Sequence, residues 1–364
     1  MLLRRRRAYL VPLVAAVVAG VVGPAGPAAA GPVDGARAGC AWRLDTRLPI
    51  PAGFTSGGVS GTDGAGGFVG TASVFDGVDI STFVAGAVVW RGGRMSLLPT
   101  PAGLSSFGYA MNRRGDVVGA VFPSRGQPGP MRPVLWRHRV LIELARPTGA
   151  DWAIARDITD AGLIAGVADV GDGSHLPLLW SAAEPGSFRV IPAPAGFNLV
   201  NALTEDGVLA GVTSTLDEPV IRSRGLAGTE AGGLHVVADP PGGYSSMVNA
   251  ASGDYLAGES IGFDGESRPF AVLWHDEVPQ VLSTDFATAQ GVNSHGAATG
   301  VSFTTLRPVV WIGGVERELP LVWRGPALST GNGIVITEDS RTVAGSATPT
   351  DAPIDTLPVL WHCR

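Results

Sequence analysis

The stretch from Tyr109 to Leu144, YAMNRRGDVVGAVFPSRGQPGPMRPVLWRHRVLIEL, contains the pattern that decides the fold. It reads as a short strand, a turn with Gly115, an apolar strand ending at Gly119, a variable loop, the strand Pro133–Trp136, a tight turn and a last strand. We name these four strands A, B, C and D. Four short strands in about 45 residues are typical of one blade of a β-propeller.

Two series of residues repeat this pattern along the chain. A glycine ends strand B in seven units, at Gly70, Gly119, Gly166, Gly211, Gly258, Gly300 and Gly345. Strand C carries Trp90, Trp136, Trp180, Trp274, Trp311 and Trp361, and we assign Arg222 to the tryptophan position of the fourth unit. Two independent series of seven predict an all-β, seven-bladed propeller of four-stranded antiparallel blades; rings of six or eight blades are the alternatives.

The glycines that end strand B, here called the anchor glycines, need an explanation. We expect each to leave room for the bulky tryptophan on the neighbouring strand C, as aromatic side chains cover strand glycines elsewhere. Seven residues earlier, Asp63, Asn112, Thr159, Thr204 and Asn293 are suited to open the turn between strands A and B through local hydrogen bonds.

The two ends of the repeat array are each incomplete. Arg43–Ile50 has the features of a D strand without its own A, B and C strands, and Pro358–Trp361 is a C strand without a following D strand. Together they would complete one blade and close the ring. Cys40 and Cys363 lie beside these two strands, so we predict a disulfide there; a lipid-anchored Cys40 is the competing interpretation.

The first residues predict export. Arg4–Arg7, an apolar run and Ala28–Ala30 describe a secretory signal peptide over residues 1–30, followed by a flexible lead-in over 31–39 and a single propeller domain over 40–364. Removing four arginines changes the net charge from −6 to −10, which argues against a nucleic-acid partner. We therefore expect a secreted, extracellular monomer with no membrane span in the mature chain.

The repeated pattern Asn-x-x-Gly-x-Val-Val-Gly, followed after a gap by Ala/Pro-Val-Leu-Trp, resembles the HAF-type extracellular repeat family. The best match is Asn112–Gly119 with Pro133–Trp136, and the resemblance extends over residues 40–363. It implies an exported repeat protein and transfers no activity and no catalytic residue.

No catalytic or metal motif stands out, so we predict no cofactor, no metal site and no assignable catalytic residue. Aromatic residues recur in the crossovers between strand D and the next strand A, where they are suited either to stack on a flat ligand or to pack one blade on the next. These candidate ligand-binding residues are Phe54, Phe107, Trp152, Phe197, Tyr244, Phe286 and Trp323.

The loops between strands B and C vary most in length, and variable loops on a rigid scaffold often carry function. Residues 71–86 and 346–357 are two of them, and Asp76, Asp79 and Arg125 are polar candidates within this group of loops. We predict a non-enzymatic binding or interaction module for an extracellular carbohydrate or protein. The alternative is a propeller hydrolase or lyase acting on an extracellular polymer.

Overall fold

The computed structural model describes residues 40–171, 174–215, 222–262, 268–322, 327–352 and 354–364. The predicted signal peptide and lead-in, residues 1–39, and the candidate Trp323 lie outside the described residues. Within the described part, no helix is long and apolar enough to cross a membrane.

Strands and one short 3-10 turn, Ile80–Thr82, make up the regular structure of the described residues. In chain order the strands are β1 Trp42–Arg47, β2 Ser56–Thr62, β3 Phe68–Val74, β4 Val84–Arg91, β5 Arg94–Leu97, β6 Leu104–Met111, β7 Val117–Pro123, β8 Arg132–Arg137, β9 Val140–Glu143, β10 Trp152–Ile158, β11 Leu163–Asp169, β12 His175–Ser181, β13 Glu184–Val190, β14 Phe197–Leu203, β15 Val208–Thr215, β16 Arg222–Thr229, β17 Gly233–Val236, β18 Gly243–Ser252, β19 Tyr255–Gly262, β20 Pro269–His275, β21 Val278–Val281, β22 Ala287–Val292, β23 Ala298–Ser302, β24 Arg307–Ile312, β25 Val315–Glu318, β26 Leu328–Ile336, β27 Thr342–Pro349 and β28 Leu357–Cys363.

These strands form seven four-stranded antiparallel sheets, which confirms the seven-bladed propeller. Blades 1 to 6 are β2–β5, β6–β9, β10–β13, β14–β17, β18–β21 and β22–β25, each in chain order. Strand A stands at one end of every sheet, and neighbouring A strands contact each other all the way round, so the A strands line the axis and the D strands form the outer rim.

Blade 7 is built from both ends of the described chain, in the order β1-β28-β27-β26. β1 lies antiparallel to β28, with Leu44 opposite Trp361 and Arg47 opposite Val359. A disulfide joins Cys40 to Cys363, whose α-carbons are 5.3 Å apart. The predicted closure is therefore confirmed, although the regular strand ends at Arg47 and not at Ile50.

The anchor glycines are explained by the backbone of strand A. Each A strand contains a β-bulge opposite its anchor glycine; in blade 2 the register shifts between Gly108 and Ala110, opposite Gly119. A β-carbon on any anchor glycine would overlap a strand A carbonyl oxygen, which in blade 2 is that of Phe107. We expected the tryptophan ring to be the reason for the glycine, and this explanation was wrong. At Gly119 the ring of Trp136 is a neighbour, but the Phe107 carbonyl oxygen is closer.

The tryptophans of strand C are buried and tie each blade to the one before it. The Trp136 indole donates a 2.8 Å hydrogen bond from Nε1 to the carbonyl oxygen of Pro99, two residues beyond strand D of blade 1. Trp90, Trp180, Trp274 and Trp361 make the equivalent bond to Pro49, Ala145, Ala238 and Pro320. Trp311 differs, because its indole donates to Glu316 of its own blade.

Blade 4 corrects the assignment of Arg222. The residue opposite Leu209 in β16 is Gly228, just as Trp136 lies opposite Val117 in blade 2, so Gly228 and not Arg222 occupies the tryptophan position. Arg222 is the first residue of β16, where its guanidinium pairs with Asp239 at 2.9 Å. The sequence match failed because residues 219–222 carry a copy of the strand C pattern, whereas the register is set by strand pairing; residues 219–221 lie outside the described part.

Candidate binding sites on the ring

The extra residue of each strand A bulge contributes to one ring around the axis. These seven residues are Ser60, Tyr109, Arg156, Asn201, Asn249, Gln290 and Ile334. Several bond directly to the next blade: Asn201 donates from Nδ2 to the carbonyl of Val248 at 2.8 Å, and Asn249 donates to that of Ala289 at 2.9 Å. These polar side chains therefore hold neighbouring A strands together.

Arg156 brings a cation into this axial ring. Its guanidinium carbon lies 4.8 Å from the centre of the Tyr109 ring, and Nη2 is 3.4 Å from Oδ1 of Asn201. In the described part of the chain, no carboxylate oxygen lies within 4 Å of this guanidinium. Because a cation over an aromatic face is attracted by the ring quadrupole, the Tyr109 ring stabilises part of the positive charge of Arg156.

Asp157 follows Arg156 and connects blade 3 to blade 4. Its carboxylate accepts hydrogen bonds from the backbone N–H groups of Ile158 and Leu203, both at 2.8 Å. Burial raises the pKa of Asp157 from 3.8 to about 6, because the charged form loses solvation and these bonds recover only part of the loss. Burial also raises the pKa of Glu259, whose carboxyl bonds to Thr288 of the next blade.

The candidate aromatic residues that fall in the described part lie at or just before the start of strand A or within it. Phe107, Trp152, Phe197 and Tyr244 are inside strands, Phe286 directly precedes β22, and Phe54 lies two residues before β2. All six residues are half-buried.

His175 shows how this aromatic packing connects two blades. Its ring lies between Trp152 of blade 3 and Phe197 of blade 4, with centroid distances of 4.9 and 3.7 Å. Burial lowers the pKa of His175, so the neutral imidazole is favoured inside this stack. Phe107 similarly contacts Phe83 of blade 1 and Phe122 of its own blade.

An apolar surface that the sequence analysis missed lies on the loops between strands B and C. We call Phe75, Val78, Ile80 and Ile354 the loop-face patch. Val78, Ile80 and Ile354 are 90%, 57% and 62% exposed. A β-carbon on Gly77 would lie 3.4 Å from Cδ1 of Ile354, which shows that loops of blades 1 and 7 meet here. Sequence analysis selected both loops for their length, but their contact requires ring closure.

A cavity of about 440 Å³ lies at the closure of the ring. We call it the closure cavity; its walls include Cys40, Trp42, Arg307, Arg317, Glu318 and Pro320. It lies between the outer part of blade 6 and the N-terminal strand of blade 7. Cys40 was predicted only for its disulfide, and none of these residues was a candidate for ligand binding, because the two strands are far apart along the chain.

One group in the described part of the chain has the spacing of metal ligands. Asp254, His275 and Asp276 place one potential ligand atom each within 4.8 Å of one another, and all three residues are exposed. The His275 ring stacks on Tyr255 at 4.4 Å. Exposed carboxylates at such spacing are common without an ion, so we assign no metal to them.

Comparisons with known proteins reveal the fold alone. No family model and no curated protein matches this chain. A structure from a study of two prolyl endopeptidases is similar over 81% of this chain and 46% of its own, with 14% identity and a TM-score of 0.53. A puromycin-hydrolysing peptidase of Mycobacterium tuberculosis is similar over 87% of this chain and 55% of its own, with 13% identity and a TM-score of 0.50. The chain thus spans about half the length of these two proteins.

Proposed function

We propose that this protein is an exported binding module that docks a basic polypeptide on the loop-face patch. The observation that carries the proposal is the exposure of Val78, Ile80 and Ile354 on loops of adjacent blades that meet at Gly77 and Ile354. Clustered apolar side chains on a soluble surface cost solvation free energy and mark interaction sites. We also propose, from the repeat at Asn112–Gly119, that the chain is an HAF-type extracellular repeat protein.

Charge at the rim of the patch determines the class of partner. Asp76 and Asp79 lie in the same loop as Val78, while Asp351 and Asp355 flank Ile354; Arg125 is the basic residue of the adjoining loop. Backbone and hydroxyl hydrogen bonds lower the pKa of Asp76 and of Asp79, which keeps both ionised well below neutral pH. Four carboxylates against one guanidinium favour a polypeptide with apolar anchors flanked by lysine or arginine.

The patch is held in place by hydrogen bonds. Oδ1 of Asp355 accepts bonds from the hydroxyls of Thr55 and Ser56, both at 2.8 Å, which ties the blade 7 loop to the start of blade 1. The Asp76 carboxylate accepts from the backbone N–H groups of Val78 and Asp79. A docking surface organised before binding loses less conformational entropy when a partner arrives.

Selection from a random peptide display library on the purified mature chain tests the proposal. We expect enriched peptides to combine apolar and basic residues, and their affinity to fall at least about 10-fold in a Val78→Ser, Ile80→Ser, Ile354→Ser triple variant. The matched control is Val140→Ser, Val278→Ser, Val315→Ser, which removes exposed valines from three outer strands. Equal loss in both variants, or enrichment of acidic peptides, would contradict the proposal.

Export and the enzymatic alternative are tested on the same preparation. Export predicts a secreted protein whose first residue is Gly31 and whose Cys40–Cys363 disulfide is intact.

A hydrolase or lyase would release new chain ends from extracellular polysaccharides, which a reducing-end assay detects. If the triple variant releases chain ends as fast as the wild type, catalysis and not polypeptide docking would be the main function.

A further inference from the structure

The closure cavity lies where blade 7 is completed by a separate strand. In blade 2 a tight turn joins strands C and D, with Arg137 opposite Val140. In blade 7 there is no such turn: Trp42 lies opposite Cys363, and the Cys40–Cys363 disulfide joins the two strands. A recess of about 440 Å³ lies beside this bridge, within the size range of small-molecule sites.

The cavity wall carries more positive than negative charge. Arg307 lies 3.6 Å from Glu318, measured from Nε to Oε2. The second guanidinium, that of half-buried Arg317, has no carboxylate within 4 Å among the residues that the structure describes. Two arginines against one glutamate leave an excess cation in a chain whose net charge is −6. A guanidinium fork matches the two oxygens of a carboxylate.

Trp42 adds an aromatic wall that is not held by a hydrogen bond. Its indole N–H has no acceptor among the described residues, whereas the neighbouring Trp361 donates to the carbonyl of Pro320 at 2.8 Å. The Trp42 ring can therefore adjust to a bound molecule without breaking a hydrogen bond of the fold. A flat aromatic wall suits a ring-shaped ligand.

We propose that the closure cavity is a binding site for a small ring-shaped monocarboxylate, with Arg317 pairing with the carboxylate and Trp42 packing on the ring. This chemistry is shared by uronic sugars and by aromatic acids. The cavity is built from blade 6 and β1, not from the loops that form the loop-face patch, so the site is independent of polypeptide docking.

Calorimetric titration of the full mature chain, with its disulfide intact, tests the site. The probes are glucuronate and benzoate, each paired with a neutral analogue, glucose and benzyl alcohol. We expect one acid to bind with a dissociation constant of roughly 1 mM or tighter, and its neutral analogue to bind at least about 10-fold more weakly. Binding of glucuronate alone identifies a sugar site, and binding of benzoate alone identifies a site for aromatic acids.

Two variants attribute the binding to named residues. Arg317→Gln should weaken binding about 10-fold or more, because it removes a charge-assisted hydrogen bond. Arg189→Gln is the control, since Arg189 pairs with Glu230 on the surface between blades 3 and 4. Arg317→Lys keeps the charge but loses the guanidinium fork, so it should bind with intermediate affinity. It tests the same role of Arg317 if the glutamine variant does not fold. No binding of either acid, or equal loss in the Arg317 and Arg189 glutamine variants, would overturn the proposal.

Discussion

The seam between blades 1 and 2 and the seam between blades 3 and 4 make the same connection with different groups. At the first seam, the buried Trp136 indole donates to the carbonyl of Pro99. At the second, the tryptophan position holds Gly228, and the backbone N–H of Leu234 donates to the carbonyl of Pro192 at 2.7 Å. Both acceptors lie two residues beyond a D strand.

The comparison shows that either an indole or a backbone N–H can donate to this carbonyl, whereas at the seam between blades 5 and 6 the Trp311 indole donates within its own blade. In blade 4, which carries Gly228 in place of the tryptophan, a backbone N–H makes this bond. The seam between blades 3 and 4 also has a bond that the first lacks, from the Leu203 N–H to Asp157; the corresponding residue of blade 1 is Gly61, which has no side chain to accept it.

The largest effect is expected at the covalent seam of blade 7. Replacing both cysteines, Cys40→Ser with Cys363→Ser, should lower the free energy of unfolding by up to about 5 kcal/mol, because the bridge closes a loop of 323 residues. Urea unfolding of the oxidised protein and the double variant measures this. An unchanged midpoint would show that the hydrogen-bonded pairing of β1 with β28 closes the ring by itself.

Replacing an anchor glycine should be equally costly in blade 2, which has the tryptophan, and in blade 4, which lacks it. Gly119→Ala in blade 2 and Gly211→Ala in blade 4 should each cost about 3 kcal/mol or more, since the added carbon meets a strand A carbonyl in both. Gly186→Ala is the control, because no atom lies within 4 Å of its β-carbon position. A loss confined to the blade with tryptophan would restore the tryptophan explanation.

The contribution of the indole bond can be separated from that of ring volume. Trp136→Phe and Trp311→Phe remove the same atoms, but the first leaves the Pro99 carbonyl without its donor, and the second releases only the exposed Glu316. We expect Trp136→Phe to cost about 1 to 2 kcal/mol more in urea unfolding. Equal costs would mean that packing alone connects the blades.

The smallest effect is a dependence on pH at the seam between blades 3 and 4. The pKa of Asp157 is raised from 3.8 to about 6 in the folded state, so the folded protein binds this proton more tightly than the unfolded chain. Stability from this group is therefore fully present below pH 3.8 and is lost as the pH rises through 6, with about 1 kcal/mol of the loss between pH 5 and pH 7.

Asp157→Asn should remove this part of the pH dependence of unfolding, and Asp276→Asn, at an exposed turn, should not. Parallel slopes for wild type and Asp157→Asn between pH 5 and 7 would contradict the assignment.

Features that every blade repeats were predictable from the sequence, and features that depend on one blade were not. The glycine and tryptophan spacings predict the blade count because all seven blades carry the glycine and six also carry the tryptophan at the same strand positions. Arg222 was misplaced because strand C of blade 4 begins at this residue and carries Gly228 in its register. The cause of the anchor glycines was missed because a bulge is a property of pairing and leaves no separate residue signal.

The candidate sites were less predictable than the fold for the same reason. The aromatic series was recognised, but its local packing, as around His175, requires coordinates. The loop-face patch joins residues near 78 and 354, and the closure cavity joins residues near 42 and 317. Such groupings arise only when the two ends of the array meet.

The pairing of β1 with β28 also has a consequence for biosynthesis. A growing polypeptide presents β1 hundreds of residues before its partner has been translated, so the last sheet can be completed only after β28 has been made. Until then the early strand displays unpaired N–H and C=O groups that invite aggregation, and its long-range pairing makes ring completion a late, slow step.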